Sequence, residues 1–236
     1  MKSELIQSIE KTGYIVSNAY SYLRAYQSIL DGEQDRISVI SQAPVFFMLA
    51  SSALIRVTAL EVAKLFDPYA KASIPKLLQV CSNYLPEERE HIKSELSMRF
   101  LCNSSGVDTE YKEQMRQKRV EIGLLTKADM QDEVIKWGER LKSFEDEHGS
   151  YSNLKALRDK FIAHSDKAYI RNIDKLLEEY PIKTSDIKQL LDFANEVSCR
   201  LRLYLTGTHV HPEIVGSGDL RRLLDKVYRV DKEFYV

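Results

Sequence analysis

Three stretches of this 236-residue chain set apolar side chains at alternating steps of four and three. The first is Ile15, Ala19, Tyr22, Tyr26 and Ile29; the second is Phe46, Ala50, Ala53, Val57 and Leu60. The third runs Ile187, Leu191, Ala194, Ser198, Leu201 and Leu205, with one serine in the row. At about 3.6 residues per turn such spacing keeps one face of a helix, whereas on a strand it would scatter over both faces. The chain also has only 9 glycines and 6 prolines, roughly half the average usage of about 7% and about 5%. Scarce chain breakers favour long helices over a turn-rich β fold. Narrow apolar stripes must be buried against each other, and no stretch alternates convincingly enough for a sheet. The fold class predicted is all-α: a bundle of four to five main helices with short extra helices.

Local signals divide the chain. A first helix is predicted over about residues 3–30, closed by Asp31-Gly32. The stretch from Ile37 to Ile55 carries no charge and nears the roughly 20 residues of a membrane span. Ser38, Ser41, Gln42, Pro44, Ser51 and Ser52 interrupt it, and it reads as a loop followed by a buried helix, with no membrane partner. Pro44 suits the first turn of that helix, and Asp67-Pro68 stops it. Ser73 then caps a short helix with Pro75 in its first turn and Leu77, Leu78 and Val80 as its apolar side. A third region, from Pro86 to about Phe144, breaks between Leu101 and Asp108 and contains the single tryptophan, Trp137. After Gly149-Ser150 a helix carries Tyr151, Leu154, Leu157 and Phe161, and ends or bends near His164-Ser165-Asp166. Thr184-Ser185-Asp186 caps the last long helix, which Gly207 terminates. The bundle is assigned to residues 1–206, and residues 207–236 to an extension with a short helix from Leu220 to Val230.

Charge and cysteine content narrow the function. The formal net charge is −1, so the chain as a whole is no polycation. Cys81, Cys102 and Cys199 are few, far apart and odd in number, which fits a reducing compartment better than a disulfide framework. The opening MKSELIQSIE has no apolar signal core, so a cytoplasmic location is expected. No glycine-rich phosphate loop occurs. His209, His211 and Glu213 offer metal-ligating types, but alternate histidines need strand-like geometry and further ligands, and a loop before Pro212 is the plainer reading. His91 and His148 read as surface residues. Lys112, Arg116, Lys118 and Arg119 are interleaved with Glu110, Glu113 and Glu121, as on a solvated helix face. Tyr14, Tyr20, Tyr22 and Tyr26 read as core or dimer-seam residues rather than base-stacking platforms. No metal or other cofactor is expected.

One segment holds residue types suited to phosphodiester chemistry: Leu154-Lys-Ala-Leu-Arg158-Asp-Lys-Phe-Ile-Ala-His164-Ser-Asp166-Lys. An imidazole moves protons near neutrality, and a guanidinium matches phosphate oxygens with a permanent planar charge. In a regular helix six residues separate Arg158 and His164 by roughly 9 Å along the axis and about 120° around it. One straight helix therefore keeps the two side chains apart. A bend before His164, or a second copy of the chain, is needed to bring the pair to one bond. Between Asn153 and Lys175 the bases Lys155, Arg158, Lys160, Lys167, Arg171 and Lys175 face the acids Asp159, Asp166 and Asp174. That surplus of three positive charges on an otherwise acidic chain focuses anions locally. The same residues also suit a core histidine and an interhelical ion pair.

The run from Arg158 to His164 resembles the signature of the HEPN superfamily: an arginine, a polar residue directly after it, and a histidine following four to six residues on. Asp159 fills the polar position. Ala163-His164-Ser165-Asp166 is similar to the ending found in the AbiU-type abortive-infection branch, as is Leu65-Phe66-Asp67-Pro68 followed by Ser73-Ile74-Pro75-Lys76-Leu77-Leu78. The resemblance spans about residues 14–206. It implies a helical bundle that forms a homodimer and, in many members, a metal-independent endoribonuclease acting in phage defence or as a toxin, with an antitoxin protein as a further partner. It implies that Arg158 and His164 of both copies line one cleft; Asp159 and Asp166 are then assigned as supporting residues, and the local basic residues Lys155, Lys160, Lys167 and Arg171 to RNA binding. Asp166 also suits a helix cap. Other members have lost catalysis and serve as nucleic-acid- or protein-binding scaffolds. The chemistry needs no metal, because RNA carries its own nucleophile in the 2′-hydroxyl.

Overall fold

The computed structural model describes residues 2–35, 37–85, 127–147, 149–159, 179–206 and Arg222. Among these residues there are seven helices and no strand. They are α1 (Lys2–Asp35), α2 (Ile37–Gln42), α3 (Pro44–Leu65), α4 (Ile74–Asn83), α5 (Lys127–Glu147), α6 (Gly149–Arg158) and α7 (Thr184–Thr206). The all-α bundle read from the apolar spacing is the architecture found. Residues 86–126 and the extension 207–236, Arg222 excepted, lie outside the described residues.

The central layer is α1 packed on α3 and α7. Helix α4 sits on α5, and α6 sits on both α3 and α5. All six residues of the predicted α7 stripe, Ile187 to Leu205, are buried, and Phe193, Val197 and Tyr204 widen it. The polar member, Ser198, donates its hydroxyl to Asn195 O within the helix. Helix α4 also follows its sequence signals. Ser73 Oγ accepts the Lys76 N–H at 3.4 Å, Pro75 lies in the first turn, and Leu77, Leu78 and Cys81 are buried.

Other sequence expectations are corrected. Helix α1 continues through Asp31-Gly32 to Asp35; a glycine costs a helix interior only about 1 kcal/mol, which does not by itself end it. Its buried residues are Leu5, Ile9, Thr12, Val16, Ala19, Leu23 and Ile29, so of the predicted seam Ala19 and Ile29 are in the core and Ile15, Tyr22 and Tyr26 lie beside it. Ile15 and Tyr26 pack only at the edge of the core, and Tyr14 is 69% exposed. The polar Thr12 hides this track in the sequence. Its hydroxyl is satisfied internally by Ser8 O at 2.9 Å and by Ala72 O at 3.1 Å, which ties α1 to the turn before α4. At α7, the bond from Ile187 N–H to Lys183 O puts the cap at Lys183, so Thr184, Ser185 and Asp186 form the first turn itself. Asp186 there still complements the helix dipole.

The largest correction concerns α3. The stretch from Ile37 leads through the short helix α2 rather than a loop, and the first half of α3 is not buried. The predicted stripe lies outward: Phe46 is 64% exposed, Val57 is 37% exposed, and Ala53 is exposed as well. The core takes Thr58, Ala59, Val62, Ala63 and Leu65 from the second half instead. The first half of α3 carries no charged residue, so periodicity has little polar face there to orient it. By length and composition α3 could cross a membrane, yet its second half is seated among the other helices. It ends as expected: Asp67 Oδ1 accepts the Tyr69 N–H at 2.9 Å, an Asx turn that diverts the chain before Pro68 can be helical.

Candidate functional site

Helix α6 carries the first part of the candidate site. Its inner side is set by Tyr151 and Leu154, both buried. The Tyr151 ring meets Phe66 edge-on, with centroids 5.7 Å apart. Asn153 Nδ2 donates to Pro181 O at 2.8 Å and fixes α6 to the segment that enters α7. Lys155, the residue after Leu154, is exposed and available to an anion in solvent. Arg158 is the last residue of α6, one turn beyond Leu154, so a turn anchored in the core holds its backbone. Asp159 follows directly and is half-buried. His164, Asp166, Lys160, Lys167 and Arg171 lie outside the described residues, as do His209, His211 and Glu213. Of the residues assigned from sequence, the structure places Lys155 and Arg158 in the last turn of α6, with Asp159 directly after it.

Behind this helix the bundle is tied by charged groups. Glu196 on α7 accepts from Trp137 Nε1 at 3.0 Å and from Arg140 Nη1 at 2.8 Å, both on α5. Arg200 forms a two-pronged pair with Glu133, at 3.1 and 3.0 Å. Such fork geometry is the stronger form of ion pair. On the α1 side, the Tyr20 hydroxyl donates to Asp192 Oδ1 at 2.5 Å, and Lys188 Nζ donates to Asp192 Oδ2 at 2.8 Å. These bonds position helices; none brings together groups suited to proton transfer or phosphate binding. Among the described residues no group of three or more His, Cys, Asp or Glu could hold a metal ion.

Two weak acids, the buried Cys81 and the half-buried Tyr20, should set an alkaline limit to the fold. Burial pushes the Cys81 thiol up to about 12. The Tyr20 phenol is also raised, first by burial and then by its hydrogen bond to Asp192. A folded-state pKa above the unfolded value means that the unfolded chain releases its proton first. The associated stability is complete below the ordinary thiol range near pH 8.5–9 and declines as pH rises toward 12. Urea midpoints measured at rising pH should fall above about pH 9, with Cys81 contributing at most about 1.4 kcal/mol per pH unit. Cys81→Ala should flatten that slope, and an equal slope in the variant would rule the thiol out as its source.

An all-helical bundle in which a core-anchored helix ends in Arg-Asp, with histidine six residues after the arginine, has the layout of a HEPN domain. Comparison with protein-family models bears this out: residues 8–211 match the AbiU2 model of HEPN domains, and the chain belongs to that family. The AbiU-type resemblance seen in the two short motifs thus extends over most of the chain. No curated protein and no solved structure matches the chain.

Proposed function

We propose that this abortive-infection HEPN protein is a metal-independent endoribonuclease whose site is completed by pairing two copies of the chain. The observation that carries this reading is the Arg158-Asp159 to His164 segment, lying inside the family match and starting from a helix anchored in the core. In the proposed reaction the 2′-oxygen attacks phosphorus and the P–O5′ bond breaks, leaving a 2′,3′-cyclic phosphate and a 5′-hydroxyl. One His164 accepts the 2′-hydroxyl proton while the His164 of the other copy donates a proton to the departing 5′-oxygen. Arg158 of each copy balances charge on the phosphorane. Asp159 orients Arg158, and Asp166 orients His164 or caps the following turn. Lys155, Lys160, Lys167 and Arg171 hold the RNA strand, the salt-sensitive part of binding. The setting is the cytoplasm, with an antitoxin protein as the restraining partner.

The test is incubation of the full chain with single-stranded RNA in excess EDTA. Expected products end in 2′,3′-cyclic phosphate and 5′-hydroxyl. Cleavage that vanishes on chelation and returns with a divalent cation overturns the metal-free step. Tight RNA or protein binding without cleavage in any condition assigns the chain to the non-catalytic scaffolds.

A further inference from the structure

The turn between α3 and α4 holds an aromatic ring out into water on a fixed mount. Tyr69 is 89% exposed, more than any other large apolar or aromatic side chain among the described residues. Both ends of the turn are sunk in the core. Phe66 meets Tyr151 edge-on at its start, and Ala72, Ser73 and Ile74 are buried at its end. Between them the backbone is tied at successive points. Asp67 Oδ1 accepts the Tyr69 N–H at 2.9 Å, Asp67 O accepts the Ala70 N–H at 3.1 Å, and Ala70 O accepts the Ser73 hydroxyl at 2.9 Å. The Thr12 hydroxyl of α1 donates to Ala72 O. A ring on so fixed a turn loses little freedom when a flat partner lands on it.

The charge around the ring is positive. From Leu65 to Leu85 the charged residues are Asp67, Lys71 and Lys76, and α4 carries no acid. Lys71 is exposed and forms no ion pair among the described residues. Lys76 Nζ donates at 2.8 Å to Gln79, a neutral partner that leaves its charge uncompensated. The turn also stands beside the start of α6, through the contact of Phe66 with Tyr151. Arg158 lies about 10 Å further along that helix.

We infer that Tyr69 is a stacking platform for one base of single-stranded RNA, with Lys71 meeting an adjoining phosphate. Every base has a π-face, and proteins that hold single strands combine an exposed ring with cations that follow the backbone. In a duplex the bases are stacked on each other, so a ring of this kind selects unpaired strands. A protein partner is the weaker occupant. Interface cores are depleted in lysine, and one ring between lysines makes no contiguous apolar patch. The inference rests on the ribonuclease reading for the class of strand and deepens it. It adds a contact outside the segment from Arg158 to His164, on the α3–α4 turn that packs against the same helix.

Fluorescence anisotropy of the full chain with a labelled 2′-O-methyl oligoadenylate tests it. The methyl group blocks the attacking oxygen, so binding is read without cleavage. Tyr69→Ala should raise Kd about 5- to 150-fold, the usual loss when one stacking ring is removed. Tyr69→Phe keeps the ring and should bind like wild type. Tyr14→Ala removes another exposed tyrosine, on α1, and should change nothing. Lys71→Ala should shallow the slope of log Kd against log salt by about 0.7, the share of one phosphate contact on a single strand. The Tyr69 ring touches water, and its backbone N–H survives substitution, so all variants should melt like wild type. Tyr69→Ala binding as tightly as wild type overturns the inference, as does an equal loss in Tyr69→Phe or a wild type that leaves the oligonucleotide free. Cleavage of unmodified RNA in EDTA separates the two readings. A wild type that cleaves while Tyr69→Ala binds unchanged sinks the platform and spares the ribonuclease. A wild type that binds through Tyr69 but cleaves nothing does the reverse.

Discussion

His164→Ala should lower the rate of RNA cleavage in EDTA by about 10²–10⁴-fold, the usual contribution of a positioned acid–base group. Arg158→Ala should cost about 10²–10³-fold, the range for removing one preorganised donor from a developing negative charge. The two losses should differ in kind. In the proposed reaction both oxygens exchange protons, so removal of the imidazole should lower kcat with little change in KM. In that proposal the guanidinium meets a phosphate already charged before reaction, so Arg158→Ala should raise KM as well as lower kcat. Arg158→Lys keeps the charge but not the planar fork, and it should recover binding better than rate. Arg158 also stands at the end of a helix whose inner residues, Tyr151 and Leu154, are buried. A structural loss is told apart by thermal melting: the catalytic reading expects both variants to melt within a few degrees of wild type. Equal cleavage by wild type, His164→Ala and Arg158→Ala would reject the assignment of both residues.

The readability of this fold from sequence depended on contrast between helix faces. Helix α7 alternates buried apolar residues with exposed charges such as Lys188 and Glu196, and its six-residue stripe was placed correctly. Helix α1 is legible only in part: Ala19 and Ile29 of its spacing are buried, but Thr12 also sits in the buried track and looks polar until its two carbonyl partners are known. Helix α3 lacks that contrast: Val45 to Leu49 are as apolar as the residues that do enter the core, so the spacing does not tell the exposed Phe46, Ala53 and Val57 from core residues. Long-range polar ties were beyond reach. Trp137 and Glu196 are 59 residues apart, Tyr20 and Asp192 are 172 apart, and no local spacing announces such a bond. The family is legible for the opposite reason: its two motifs are short and local. The structure adds what a motif cannot give, namely that the helix delivering Arg158 is pinned at Tyr151, Asn153 and Leu154.

Phe193→Ala should be the most damaging single substitution in the bundle, destabilising it by about 3–5 kcal/mol. Phe193 is fully buried on α7. Its ring stacks on Phe66 at 6.3 Å and leans on Phe144 at 5.4 Å, and the Arg140 guanidinium lies 4.9 Å from its centroid. Truncation removes the transfer free energy of the ring and leaves a cavity between three helices. It also removes the surface on which Arg140 rests while it binds Glu196. Arg140→Ala alone should cost no more than about 1 kcal/mol, since its side chain is 46% exposed and its ion pair is screened by water. Phe193→Leu, which keeps much of the volume, should fall between the two. In a chain of this size the alanine variant should melt roughly 6–20 °C lower, at about 2–4 °C per kcal/mol. The loss should reach α6 as well, because Phe66 touches both Phe193 and Tyr151. Amide exchange in residues 151–158 should therefore quicken in Phe193→Ala by more than the global stability change requires. Exchange there that merely tracks global unfolding would show that α6 is held by Leu154 and Asn153 without help from the aromatic stack.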